Sequence, residues 1–372
     1  MLFALCLFTL AADPAPLSKA DAAAERDRQW KAHVAAITKD RAAELKAGKL
    51  IDGKLEMPIF TKTFGEKPKA GRSLWISLHG GGGAPPNVND GQWENQKKLY
   101  TVAEGVYVAP RAPTNTWNLW HEGHIDRLFD RLIEDMVVLE GVDPNRVYVL
   151  GYSAGGDGVY QLAPRLADRW AAAAMMAGHP NDASPLNLRN VPFALQVGGK
   201  DAAFNRNKVA AEWGDKLKQL RKDDPTGYEL FLKIFDEKGH WMDREDAAAL
   251  PWMAKHTRNP IPEKVVWRIT GVHERSYWLA VPPGEAKPGA IVTATRSGQT
   301  IDIVSAEGFT KLIVRLDDRM ADLDKPVKVT HNGAVLFEGV AKRTAATLAK
   351  TLAGRGDPAL VFSAEVTVTI PR

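Results

Sequence analysis

Apolar and polar positions follow two different patterns along the chain, and the change falls near residue 260. From about residue 56 to 256, short apolar runs typical of buried strands alternate with stretches of helical periodicity. The predicted strands are Leu74–Leu78, Val106–Ala109, Val147–Leu150, Ala171–Met176, Phe193–Val197 and Leu230–Phe235. Between two of them, apolar residues recur at helical spacing from Ile125 to Val137. This alternation predicts the α/β class, a mostly parallel sheet flanked by helices.

Beyond Pro260-Ile-Pro262 the pattern becomes one of short strands separated by turns. Asn332-Gly333, set between two such strands, is a strong signal for a β-hairpin. One helix, from about Thr344 to Leu352, is predicted to stop at Gly354. The predicted strands are Val265–Ile269, Ser276–Val281, Ala290–Ala294, Thr300–Val304, Lys311–Leu316, Val327–Thr330, Val335–Phe337 and Ala364–Ile370.

These patterns divide the chain into three predicted parts after the first residues. A helical segment covers residues 18–50, an α/β domain covers 56–258, and a small β-rich domain covers 262–372. The many short strands of the last part, with turn signals between them, favour a sandwich-like arrangement.

Composition fits a folded globular protein and excludes several other classes. Of 372 residues, 45% are hydrophobic and 25% charged, so a disordered chain, a collagen-like repeat and a disulfide-rich miniprotein are excluded. The net charge of +4 arises from 49 basic and 45 acidic residues without a Lys/Arg-rich run. We therefore predict no nucleic-acid partner.

The first twelve residues are apolar and end in small residues followed by Asp13-Pro14. The run is too short to span a bilayer and is typical of a secretory signal peptide, which predicts a secreted or periplasmic protein. No later apolar run is long enough for a membrane span. The single cysteine, Cys6, lies inside this segment, so cleavage would leave a protein without disulfides or a catalytic thiol.

The pentapeptide Gly151-Tyr-Ser-Ala-Gly155 fits the G-x-S-x-G pattern of a nucleophile elbow. A predicted strand precedes it and a helix-like stretch from Val159 follows, which is the strand–turn–helix context that the elbow requires. Ser153 is therefore the candidate nucleophile, exposed at the carboxyl end of a central strand.

A serine nucleophile needs a base, and the base needs a group that orients it. His240, just after the last strand of the α/β domain, is the preferred base; His79, His121, His124 and His179 compete with it. Asp201, which follows the strand Phe193–Val197, is the preferred acid, because the order Ser, Asp, His is that of α/β serine hydrolases. The rival acids are Asp182 and Asp236.

Two backbone N–H groups should stabilise the oxyanion of a tetrahedral intermediate. Ala154, next to the nucleophile, is expected to supply one. The stretch His79-Gly-Gly-Gly-Gly83, directly after a strand, is expected to supply the other from Gly81, with Gly80 or Gly82 as alternatives. A phosphate-binding loop is the competing interpretation, but no G-K-[ST] sequence follows.

Aromatic residues near the expected catalytic edge are candidates for a substrate pocket. Trp117, Trp120, His121 and Trp241 are predicted to line it, and plain packing is the alternative. His121 and His124 are also spaced three apart, but the sequence is not H-E-x-x-H. We predict no metal ion and no cofactor.

The four motifs His79–Gly83, Gly151–Gly155, Gly199–Asp201 and Gly239–Trp241 together resemble those of the α/β-hydrolase superfamily. Within it the chain is similar to the secreted esterases grouped with polyhydroxybutyrate depolymerases and feruloyl esterases, and to the phospholipase/carboxylesterase branch. The resemblance covers about residues 56–256. It implies a serine esterase with Ser153 as nucleophile, His240 as base and Asp201 as orienting acid.

The expected partner is a small-molecule or polymeric ester, and the sequence does not indicate an oligomeric state. Two alternatives remain open at this point. A serine peptidase would use the same three residues, and the β-rich domain would serve a polymer-directed esterase as a binding module for carbohydrate or polymer.

Overall fold

The structure is a computed structural model that describes residues 16–371; the predicted signal segment 1–12 lies outside the described residues. The first element is helix α1 (Lys19–Lys46), within the predicted helical segment. It begins where the Ser18 side chain accepts a hydrogen bond from the Asp21 N–H, and it ends before Gly48, whose φ of 68° stops a helix.

An eight-stranded sheet forms the centre of the α/β domain, in the order β1-β2-β4-β3-β5-β6-β7-β8. Strand β2 pairs antiparallel with both neighbours, and all pairs from β4 to β8 are parallel. The strands are β1 (Lys49–Asp52), β2 (Leu55–Phe64), β3 (Arg72–Leu78), β4 (Gly105–Pro110), β5 (Val142–Tyr152), β6 (Ala172–Met176), β7 (Phe193–Gly198) and β8 (Leu230–Phe235). The mostly parallel sheet is therefore confirmed, and it begins at Lys49 rather than at the predicted residue 56.

Helices connect and cover these strands. They are α2 (Pro86–Gln96), α3 (Gly123–Leu139), α4 (Ala154–Arg165), α5 (Arg206–Asp223) and α6 (Ala249–Met253). The apolar face predicted for α3 is buried from Ile125 to Met136. All six predicted central runs form strands, because each is mainly apolar. Those from β3 to β7 are buried in a sheet that is covered on both faces, whereas β8 is the partly exposed edge strand.

The remaining chain forms two further sheets, as the β-rich prediction requires. One has the order β10-β11-β14-β17 and the other β16-β15-β13-β12-β9. The strands are β9 (Lys264–Arg268), β10 (Arg275–Ser276), β11 (Leu279–Ala280), β12 (Ile291–Ser297), β13 (Thr300–Glu307), β14 (Lys311–Leu316), β15 (Val327–His331), β16 (Ala334–Gly339) and β17 (Ala364–Thr369). Their apolar faces share one hydrophobic cluster, which supports the sandwich-like description.

Two sequence predictions in this region are wrong in detail. The predicted strand Ser276–Val281 is a tight hairpin, because Tyr277 takes a φ of 53° and β10 turns back on β11. Tyr277 and Trp278 are both buried at this turn. The helix α7 (Ala345–Arg355) continues past the predicted stop, and Gly356 ends it with a φ of 56°.

The two domains share buried charges and a continuous hydrophobic core. Arg258 donates to Asp357 at 2.8 Å, and Arg169 from the sheet domain also contacts Asp357, with all three side chains buried. Arg355 from the β-rich domain in turn contacts Asp168 and Asp130. The β-rich domain is therefore fixed to the α/β domain rather than tethered beside it.

Within residues 16–371, no helix is both long and apolar enough to cross a membrane.

Candidate active site

Ser153 lies in the sharp turn between β5 and α4, with φ 57° and ψ −122°. Such a strained conformation is typical of the nucleophile elbow. The flanking glycines are required by space: a Cβ on Gly151 would collide with the carbonyl oxygen of Gly155, and one on Gly155 with that of Leu78. The turn therefore raises the Ser153 hydroxyl above the carboxyl edge of the sheet.

The structure brings together the three side chains proposed for catalysis. His240 Nε2 lies 3.0 Å from Ser153 Oγ, and His240 Nδ1 lies 2.8 Å from Asp201 Oδ2. A carboxylate only accepts hydrogen bonds, so the ring proton is on Nδ1 and Nε2 is free to accept the serine proton. Asp201 is 2% exposed, whereas the His240 side chain is 43% exposed. The three side chains thus form a continuous series of hydrogen-bond contacts from a buried carboxylate to a serine hydroxyl.

The competing residues have other local roles. Asp182 accepts a hydrogen bond from Gln161, and Asp236 is exposed to solvent. His179 accepts from the Asn181 N–H, and His124 contacts Glu122 at 3.1 Å. None of these contacts involves Ser153.

His79 fastens the glycine-rich loop and is not a base for Ser153. Its Nδ1 lies 2.6 Å from the Gly80 carbonyl oxygen, and its Nε2 accepts from the Ala112 N–H at 3.1 Å. Burial lowers the pKa of His79 to about 4, so the ring is neutral near neutral pH. Both ring nitrogens of His79 therefore form hydrogen bonds with backbone groups, and these bonds join the loop after β3 to the loop after β4.

The backbone N–H groups available for an oxyanion lie on both sides of the serine. Ala154 is the first residue of α4, so its N–H has no partner inside the helix. Gly80 passes close to the serine, because a Cβ placed on it would lie 3.1 Å from Ser153 Cβ. Gly82 donates its N–H to Asn89 Oδ1 at 2.8 Å, which removes Gly82 from the candidate donors. Gly81 and Gly80 remain as candidates for the second oxyanion donor.

Of the four predicted pocket residues, the structure exposes two. Trp117 is 64% exposed and Trp241 is 49% exposed, the latter packed on Tyr152 with ring centroids 5.6 Å apart. The prediction for Trp120 is wrong: it is fully buried, and its Nε1–H donates to the His79 carbonyl oxygen at 3.0 Å. Trp120 therefore packs beneath the protein surface and binds the start of the glycine-rich loop instead of lining a pocket.

His121 lines a cleft of about 730 Å³ together with Trp117, and their rings meet edge to face at 5.4 Å. Burial, together with the nearby charge of Arg165, lowers the pKa of His121 to about 4.

Within residues 16–371, no group of three or more potential metal ligands converges.

Two positioning residues were not recognised from the sequence. The Tyr152 hydroxyl donates to the His240 carbonyl oxygen at 2.5 Å and accepts from the Met242 N–H at 3.0 Å, so it holds the backbone on both sides of the base. Asn89, on α2, is buried and holds Gly82. Tyr152 is the variable residue of G-x-S-x-G, so the motif itself carried no signal for this contact.

The strand order, the elbow and the base at the sheet edge together define the α/β-hydrolase fold. No protein-family model matches the chain, and no curated protein matches it.

Solved structures with similar folds include three esterases. A thermostable esterase is 18% identical, with a TM-score of 0.43, over 56% of this chain and 62% of that one. A poly(3-hydroxybutyrate) depolymerase from Bordetella parapertussis is 15% identical, with a TM-score of 0.40, over 56% of this chain and 87% of that one. The enterobactin esterase from Shigella flexneri is 13% identical, with a TM-score of 0.40, over 54% of this chain and 55% of that one. At these values the likenesses identify neither a substrate nor an activity for this chain.

Proposed function

We propose that the protein is a serine hydrolase that cleaves carboxylic esters through an acyl-enzyme. The observation that carries this proposal is the continuous contact from Asp201 through His240 to Ser153, with Ser153 on a strained elbow. Each distance lies within hydrogen-bond reach.

In the proposed mechanism, His240 Nε2 takes the proton of Ser153 Oγ as that oxygen attacks the ester carbonyl carbon. The carbonyl oxygen becomes an oxyanion, which accepts hydrogen bonds from the N–H groups of Ala154 and Gly81, with Gly80 as the adjacent alternative. His240 then protonates the departing alkoxide, and the acyl group stays on Ser153. A water molecule deprotonated by His240 releases the carboxylic acid and restores the serine.

A serine peptidase remains the second candidate, because it would use the same groups. The two are separated by offering the full-length protein p-nitrophenyl acetate and an aminoacyl p-nitroanilide. We expect turnover of the ester with at most trace cleavage of the anilide. Comparable kcat/KM values for both substrates would favour the peptidase instead.

Export to the periplasm or the medium is also proposed, supported by the apolar run of residues 1–12.

The Gly81→Ala variant is expected to lower kcat on p-nitrophenyl acetate by about 10²–10³-fold, the loss typical of one missing oxyanion donor. Gly81 has a φ of 104°, and an added Cβ would collide with Asn89 Oδ1, so the loop has to move. Gly91→Ala is the matched control, since a Cβ at this position in α2 meets nothing within 4 Å. Equal kcat values for the two variants would remove Gly81 from the mechanism.

The Tyr152→Phe variant is expected to lower kcat about tenfold while KM changes little, because the loop carrying His240 loses its anchor. Tyr148→Phe serves as control: Tyr148 lies on the same strand and its hydroxyl donates to the His256 carbonyl oxygen at 2.9 Å, away from the site. The thermal unfolding midpoint should fall by a similar amount in Tyr152→Phe and Tyr148→Phe. If Tyr148→Phe lowered kcat equally, a general loss of packing would explain the effect.

A further inference from the structure

A cleft of about 730 Å³ opens where the α/β domain meets the β-rich domain. Helix α4 contributes Gln161 and Arg165 to its lining, and the loop after β4 contributes Trp117. Arg268, at the end of β9, lines the cleft from the β-rich domain. The volume lies within the range of small-molecule sites, and two domains build it jointly, as is common for such sites.

The cleft and the proposed catalytic serine lie beside the same glycine-rich loop, and Ser153 itself is not part of the cleft lining. The glycine-rich loop touches Ser153 at Gly80, while a Cβ placed on Gly83 would lie 3.4 Å from Trp117 Cβ. One loop thus borders both the serine and the cleft. Gln161 follows Ser153 by eight residues along α4, which corresponds to about 12 Å at the rise of an α-helix. A ligand that reaches both places must be longer than a simple acetyl ester.

The cleft lining combines polar with apolar groups and is nearly neutral. Arg165 is already engaged, since it donates to the His121 carbonyl oxygen at 2.6 Å and to Asp126 at 2.8 Å. Within residues 16–371, the Arg268 guanidinium forms no ion pair, and the exposed Asp182 is an acidic residue of the same lining. The uncharged ring of His121 adds no charge near neutral pH.

The same lining combines one exposed aromatic face with several planar hydrogen-bonding groups. Trp117 supplies the face, being 64% exposed. Gln161 and Asn181 supply amide oxygens, since their amide nitrogens already donate to protein oxygens. Asp182 and Arg268 supply an acceptor and a donor. A ligand that matches this set is neutral, carries many hydroxyl groups, and has C–H faces that pack on an indole.

We propose that this cleft binds the carbohydrate part of an ester substrate, one or more sugar units beyond the sugar that carries the acyl group. This inference rests on the proposed function, since it takes Ser153 as the reacting centre. A long acyl chain would meet the charged and amide groups without satisfying them, and an anionic ligand would meet Asp182 in the same lining as Arg268.

The part of the cleft that Arg268 lines is fixed by hydrogen bonds to a buried side chain. Asn187 donates through Nδ2 to the Arg268 carbonyl oxygen at 3.0 Å and accepts from the Arg268 N–H at 2.6 Å. Asn187 is itself buried. The β-rich domain therefore supplies a preorganised wall of the substrate site, which reduces the entropy lost on binding.

Binding is tested first by isothermal titration of the full-length protein with xylotriose, cellotriose and maltotriose. These sugars carry no ester, so the result does not depend on turnover. We expect saturable binding of at least one trisaccharide, weakened at least tenfold in Trp117→Ala and in Arg268→Ala and unchanged in Arg221→Ala, whose exposed side chain lies on α5 outside the cleft. Absence of saturable binding by all three, or equal binding by all variants, would overturn the proposal.

Kinetics then separate this proposal from the proposed function. With monoacetylated esters of the sugar that binds, kcat/KM should rise at least tenfold from the monosaccharide to the trisaccharide. In Trp117→Ala and Arg268→Ala the ratio of trisaccharide-ester to p-nitrophenyl acetate kcat/KM should fall by a similar factor. If p-nitrophenyl acetate is hydrolysed but sugar length has no effect, the cleft proposal fails and the esterase proposal stands. If no ester is hydrolysed at all, the esterase proposal fails instead.

Discussion

Replacement of Ser153 by alanine is expected to lower kcat on p-nitrophenyl acetate by about 10⁴–10⁶-fold, the range found when a triad serine is removed. The loss is this large because the hydroxyl is the attacking group, so no neighbouring side chain replaces it. The oxyanion donors at Ala154 and Gly81 would remain, which leaves a small residual rate. The measurement is a steady-state assay with the purified variant, with its thermal unfolding midpoint recorded beside the wild-type value.

The matched control for this variant is Ser305→Ala on β13, in the β-rich domain. Ser305 lies on a strand of the five-stranded sheet, far along the chain from the elbow, so its removal should leave kcat unchanged. Ser153→Ala should fold as well as the wild type, since alanine keeps the Cβ of serine. A folded Ser153→Ala protein with wild-type kcat would exclude Ser153 as nucleophile.

The Asp357→Asn variant is expected to lower the free energy of unfolding by about 3–5 kcal/mol, the typical effect of removing one member of a buried ion pair. Asp357 is 1% exposed and contacts both Arg258 and Arg169, so two buried guanidinium groups would lose their shared carboxylate. Burial alone would raise the pKa of Asp357, but Arg258 and Arg169 lower it below its ordinary value, so the group is charged at neutral pH. Urea unfolding measures the change.

Asparagine is chosen because it retains the shape of aspartate and the cap that Asp357 provides to the Ala359 N–H. Glu338→Gln is the control, because among the described residues 16–371 Glu338 forms one ion pair, an exposed cross-strand contact with Lys328 at 3.3 Å. Exposed pairs of this kind contribute little, so stability should hardly change. A loss for Asp357→Asn no larger than that for Glu338→Gln would show that the buried charges do not hold the two domains together.

Much of the site was predictable because its parts lie at the ends of apolar strands. In a parallel sheet the carboxyl ends of the strands meet at one edge. Ser153 follows β5, Asp201 follows β7 and His240 follows β8, so recognising the three strands sufficed to bring these side chains to one edge. The choice of Asp201 over Asp182 and Asp236 depended on order along the chain, and the contact with His240 agrees with it.

Contacts between distant parts of the chain were not predictable in the same way. Arg169 and Asp357 are separated by 188 residues, and nothing in the local pattern pairs them. Trp120 has the same local signals as Trp117, yet one is buried beneath the glycine loop and the other is exposed. The sequence predicted a strand at Tyr277 because the residues around it are apolar and aromatic, which favours a strand. In the structure Tyr277 is buried and takes a left-handed backbone conformation, so the chain turns there.

The central claim, that Ser153 is an activated nucleophile, is tested most directly by covalent labelling. The full-length protein is treated with a fluorophosphonate, which forms a stable phosphonyl ester with an activated serine, and the modified peptide is located by mass spectrometry. We predict a single adduct on the peptide containing Ser153, loss of ester hydrolysis in proportion to labelling, and no adduct in Ser153→Ala. Hydrolysis that persists in fully labelled protein, or equal labelling of Ser153→Ala, would contradict the claim.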